Sequence, residues 1–196
     1  MFESVLQSIE TASRYAVQVH CASRAERFFP VVKGFARKRS ALIYREAIDN
    51  VWDALLSNVA SCDFVDVLDR ITHVPESTAT EPHTQEYIAL GGMMEVTSAV
   101  LSFVKDPFDV SLFGPIPYTA MTALELDQAI EVVYAEGPYL LETETTEEEF
   151  VLEYVFGRGR LVRQEIANIR SRAEAVSWVY TRGVNAYARM REWEVG

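Results

Sequence analysis

Apolar side chains recur with a helical period along nearly the whole chain, and nothing else in the sequence constrains the fold as much. Val5, Ile9, Ala12, Ala16, Val19, Ala22, Ala25 and Phe29 follow one another at spacings of three and four. They form one continuous stripe, which Pro30 is expected to stop. A second helix is predicted from Ser40, whose hydroxyl suits the free N–H groups of a first turn. Its stripe is Ala41, Tyr44, Ile48, Val51 and Leu55, widened by Ala47 and Trp52.

A short helix is predicted over 63–72, turning Phe64, Val67, Leu68 and Ile71 inward, and a polar loop with two prolines follows it. The fourth helix, 84–104, contains Gly91-Gly92, read as a close helix contact or a kink and not as a break. The fifth, 118–136, buries Ala123, Leu126, Ile130 and Val133 and ends at Gly137-Pro138. Thr146 and Glu149 have capping-box spacing, which favours helix over strand for the run 151–156. Val162, Ile166, Ile169, Ala173, Val176, Tyr180 and Tyr187 give the last helix a single seam. With no repeat and no linker in the sequence, the prediction is all-α: one helical bundle of six to seven helices over 1–196.

Apolar residues make up 49% of the chain, enough for a packed core. Two cysteines, Cys21 and Cys62, are too few for a secreted disulfide scaffold. No run approaches the roughly 18 apolar residues of a membrane span. Glu3 stands where a signal peptide carries basic charge, so a cytoplasmic protein with no membrane association is expected. The net charge of −11 argues against a nucleic-acid partner.

That charge is unevenly distributed. Residues 1–45 carry eight basic and three acidic side chains, and 158–196 carry eight and four. Residues 46–157 carry two basic and twenty-two acidic ones. Two readings compete. Either the basic terminal helices lie against the acidic middle and neutralise it, or the middle presents a one-signed face that steers a basic partner. The second reading predicts that salt strengthens folding modestly.

Candidate chemistry is sparse. His20 and Cys21 are adjacent, so on a helix they point about 100° apart and do not chelate one ion. Cys62, His73 and His83 lack zinc-site spacing, and no Glu-x-x-His pair supports a di-iron site. No metal or cofactor is expected. There is no nucleophile elbow, and Cys21 reads as a small hydrophobe. Gly157-Arg158-Gly159-Arg160 lacks the remaining elements of a phosphate loop. Arg37-Lys38-Arg39 reads first as a solvated turn and second as an anion contact. The acidic run at Glu142, Glu144 and Glu147 to Glu149 reads as complementing a helix N-terminus. Asp49 and Asp53 stand four apart, while Asp63, Asp66 and Asp69 repeat every three residues without calcium-loop spacing. Like charges on one helix face repel, which a neutralising partner would relieve.

Residues 22–55 resemble the N-terminal half of the YjaG-like family of bacterial proteins of unknown function. The shared elements are an alanine-rich helix ending in Glu26-Arg27-Phe28-Phe29-Pro30, the aromatic Phe35, and Ala47, Asp49, Trp52 and Leu55. The resemblance implies an all-helical, cytoplasmic, bacterial protein and no particular reaction.

The leading expectation is a non-enzymatic interaction protein, in concrete form an immunity-type inhibitor that covers the basic site of a bacterial toxin. Its expected contacts are Asp49, Asp53, Asp63, Asp66 and Asp69. The rival is an enzyme or a ligand- or metal-binding protein using His83, Glu86 and Glu95, with Gly91-Gly92 leaving space for the ligand. A homodimer through the seam of the last helix is a further alternative.

Overall fold

Serine at position 13 opens the first helix of the computed structural model, its Oγ accepting a hydrogen bond from the Ala16 N–H at 3.1 Å. The structure describes residues 12–59, 62–78, 84–105, 109, 112, 114–136, 139–156 and 161–195; the side chains of 84–87, 152 and 193–195 are outside the description. The described residues form α1 (Arg14–Phe35), α2 (Lys38–Ser57), α3 (Phe64–Thr72), α4 (Thr84–Val104), α5 (Ile116–Tyr134), α6 (Leu140–Val151), a π-helical turn (Leu152–Phe156) and α7 (Arg163–Val195). No strand occurs among them, and the fold is an all-α bundle as the periodicity predicts.

Helix α1 runs through the middle of the bundle, against α2, α4, α7 and the π-helical turn. Every residue from Val19 to Phe28 is buried, so the helix has no solvent face over nearly three turns. Pro30 does not stop it. The proline gives no N–H to the Glu26 carbonyl, yet the helix runs on to Phe35 because Val31 and Val32 are fully buried beyond it.

The second helix starts at Lys38, slightly before Ser40. The cap comes from another part of the chain: Glu76 accepts from the Arg37 N–H at 2.6 Å and from Ser40 Oγ at 2.7 Å. The predicted stripe from Ala41 to Leu55 is buried. Asp63 caps α3 through the Val65 N–H at 2.8 Å. Helix α4 has its predicted bounds, and its glycines are close-approach positions. A Cβ on Gly92 would lie 2.8 Å from Val32 Cγ2 and 3.1 Å from the Phe28 carbonyl, and one on Gly91 2.8 Å from Thr122 Oγ1. Gly92 is closed off by α1, whereas Gly91 still borders a small cavity of about 170 Å³ between α4 and α5.

Helix α5 ends at Tyr134 with Ala135 in the left-handed region (φ 53°), short of Gly137-Pro138, which lie outside the described residues. The capping box at Thr146 is not used. Helix α6 already begins at Leu140, where Asp127 of α5 accepts from the N–H groups of Tyr139, Leu140 and Leu141 at 2.8–3.0 Å. Thr146 instead bonds back to the Glu142 carbonyl inside that helix. The run after it is helical, in π form, with Val151 and Val155 both buried. Along α7, Ile166, Ile169, Ala173, Tyr180 and Tyr187 are buried within the chain itself. Residues 157–160 lie outside the description.

Candidate functional site

A central helix buried all round is ordinarily apolar all round. Helix α1 departs from this rule with His20, Ser23, Arg24 and Arg27, spaced so that they share one side of the helix. Glu144 and Glu148, four apart on α6, meet them, together with Glu95 of α4, Thr119 of α5 and Tyr180 of α7. Arg24 Nε and Nη2 donate to both oxygens of Glu95 at 2.9 and 2.6 Å. Its Nη1 reaches Glu148 Oε1 at 2.7 Å, and Nη2 reaches Thr119 Oγ1 at 2.6 Å. Arg27 grips Glu144 with Nε and Nη2 at 3.1 and 2.6 Å, and touches Glu148 Oε1 (2.6 Å) and Ser23 Oγ (2.9 Å). His20 Nε2 lies 2.7 Å from Glu148 Oε2, and Tyr180 donates its hydroxyl to Glu144 Oε2 at 2.8 Å.

All of these side chains are buried, the two arginines at 2% and 0% exposure. Burial alone would push the Glu148 carboxyl up, but Arg24, His20 and Arg27 outweigh it and hold it well below the usual carboxylate range. Burial likewise works against the Arg24 charge, and Glu148 and Glu95 overcome it. For Tyr180, burial and the Glu144 charge both push the phenol up.

The cluster's chemistry is therefore that of a closed ion network. A general base needs a free lone pair within reach of a substrate proton. Here the carboxylates accept from guanidinium forks, and the four surface cavities described, of about 170 to 480 Å³, are lined by other residues. Glu95, the described member of the expected His83, Glu86 and Glu95 trio, is held in this network. His83 lies outside the described residues, as does the side chain of Glu86. Among the described residues no group of three His, Cys, Asp or Glu is placed to hold a metal ion.

A second network joins α1, α2 and α7. Buried Glu26 accepts both Nη atoms of Arg45 at 2.5 and 2.9 Å and the Trp52 indole N–H at 2.9 Å. Arg45 and Arg170 both donate to Asp49 Oδ1 at 2.7 Å. Arg172 holds buried Glu147 at 2.8 Å through both of its oxygens. The terminal basic helices thus neutralise the acidic middle from inside the molecule.

The five expected contact residues are placed as follows. Asp49 sits between two arginines, and Asp63 caps α3. Asp53, Asp66 and Asp69 are exposed on α2 and α3, with Asp69 3.3 Å from His73 Nδ1. The structure places a different surface beside α3. Two adjoining cavities share Leu90, Met94 and Tyr118 as walls and form one furrow between α4 and α5. Met93 and Met121 line it further, and Thr72 of α3 closes one side. Asp69 stands three residues before Thr72, on the same side of α3. On the α5 wall, Tyr118 and Met121 are 48% and 59% exposed, and Glu125 lines the furrow beside them; Leu124 and Glu131 are exposed on α5 outside the furrow's lining.

Neither a protein-family model, a curated protein nor a solved structure matches this chain.

Proposed function

We propose that the protein works by binding another protein, and that the α4–α5 furrow is where the partner docks. One observation carries the reading: a methionine-lined furrow walled by the exposed side chains of Tyr118 and Met121, with exposed Leu124 nearby on the same helix. Methionine is flexible and polarizable, which suits it to a surface that moulds itself to a partner helix. Charge selects the partner's character. Residues 106–157 contain neither lysine nor arginine, and α5 places Glu125 and Glu131 on its exposed face. The fitting occupant is a basic amphipathic helix whose apolar side enters the furrow and whose lysines or arginines meet the acidic rim. Of the five aspartates, Asp69 stands closest along α3 to the furrow-lining Thr72, while Asp49 and Asp63 contribute less because they are engaged within the chain.

In concrete form this is an immunity-type inhibitor acting on a basic toxin or effector; the YjaG-like resemblance of residues 22–55 bears only on the bacterial cytoplasm as its setting. Expression beside each neighbouring gene product tests it. A toxic neighbour should be neutralised by the wild-type protein and no longer by a Met121→Glu, Leu124→Glu variant of unchanged melting temperature. Rescue that survives both this variant and reversal of all five aspartates would remove these surfaces from the function.

A further inference from the structure

The basic turn between α1 and α2 does not end as an ordinary solvated turn. Arg37 and Arg39, from the start of α2, face Arg70 and His73, from the end of α3, across a cavity of about 470 Å³ that Ser40 and Pro75 also line. Between residues 46 and 157 the sequence has only two basic side chains, Arg70 and Lys105, and one of them stands here. The walls are locked together, since buried Glu76 ties the loop after α3 to the start of α2 through the Arg37 N–H and Ser40 Oγ. Three arginines therefore line one space whose backbone walls are fixed by two helices and a clamp.

We propose that this cavity binds a small, soluble phosphate-bearing anion, a pyrophosphate or a phosphate ester. The N–H of Arg37, just ahead of α2, is taken by Glu76, and the charged groups that line the space are side chains. Planar guanidinium forks match phosphate oxygens two at a time. His73 Nδ1 lies 2.7 Å from the Asp69 carbonyl, leaving Nε2 for the ligand. Arg70 is engaged by Glu46, which both of its Nη atoms meet at 2.8 and 2.6 Å. Glu46 and the anion thus compete for one fork. A net charge of −11 opposes every anion, and an extended one such as an anionic membrane or a nucleic-acid strand most of all, which favours a small solute as the source of the phosphate. The inference stands apart from the protein-binding reading, because it uses a different surface.

Calorimetric titration of the full chain with pyrophosphate and with inorganic phosphate, at constant ionic strength, tests it. Pyrophosphate should bind saturably at one site and more tightly than phosphate. Arg37→Ser with Arg39→Ser should weaken it by about tenfold or more, as loss of charge-assisted bonds does. Glu46→Gln should tighten it by releasing Arg70, and Arg163→Ser, an exposed cation on another helix, should leave it unchanged. Absence of saturable binding, or equal loss in the Arg163→Ser protein, would overturn the proposal. The substituted arginine side chains are exposed, the Arg37 N–H that holds Glu76 is kept in the serine variant, and the gain expected from Glu46→Gln does not depend on the double variant folding.

Discussion

Arg24 bonds to two carboxylates from two different helices, and its removal tests the buried network most directly. Arg24→Met leaves Glu95 without its fork and Glu148 with one guanidinium fewer, both out of reach of water. Such breakage costs about 3–5 kcal/mol, so urea unfolding should show a lower midpoint with an unchanged slope. Adding Glu95→Met should recover much of the loss, because the expense lies in the abandoned charge and not in the missing bond. The same residues set the acid limit. Glu148 titrates lower folded than unfolded, so its contribution is complete above the unfolded carboxyl value of about 4.3 and disappears as pH falls through the folded value. Urea midpoints should therefore fall between pH about 6 and about 3, and fall less in Glu148→Gln, which no longer has that proton to gain.

At the scale of the helix, Asp127 accepts three backbone N–H groups at the start of α6. Asp127→Ala orphans those donors, of which the Leu140 N–H is buried, and should cost about 1–2 kcal/mol, read by thermal or urea melts, with Asp127→Asn retaining part of it. This cap also shows where the sequence could and could not be read. The ends of α3 and α4 were legible because their signals are local: Asp63 before an amphipathic run, and apolar periodicity up to Val104. The start of α6 was not, since its cap sits 13 residues upstream of Leu140 in the preceding helix. The glutamates of α6 were misread for a similar reason. Charged side chains are almost never fully buried unless paired, and no local window contains arginines more than a hundred residues away. The available signal was their spacing: Glu144 and Glu148 repeat the period of Arg24 and Arg27's own face. The furrow was invisible because exposed Tyr118 and Met121 look like core residues until α5 has an orientation.

For the whole molecule, the two readings of the segregated charge prove to concern different places. Arg24 and Arg27 neutralise buried carboxylates that salt reaches poorly, while Arg45, Arg170 and Arg172 form pairs nearer the surface. With those cations engaged, the surface is left holding most of the acidic excess. Melting temperature should therefore rise modestly between about 0.02 M and about 0.5 M NaCl, as screening relieves self-repulsion. A clear fall would mean that exposed pairs such as Glu46–Arg70 matter more to folding than the surface excess does.

The central position of α1 has a consequence for how the protein is made. His20 and its partner Glu148 are separated by 128 residues, so on the ribosome the helix emerges long before its counter-charges exist. Hydrated guanidiniums do not enter a dry interior alone. The helix at the heart of the bundle must therefore wait, exposed, while most of the chain is synthesised, and non-local contacts of this span close slowly. A nascent chain stalled before residue 140 should stay protease-sensitive throughout, and one released at full length should gain protection in a single late step.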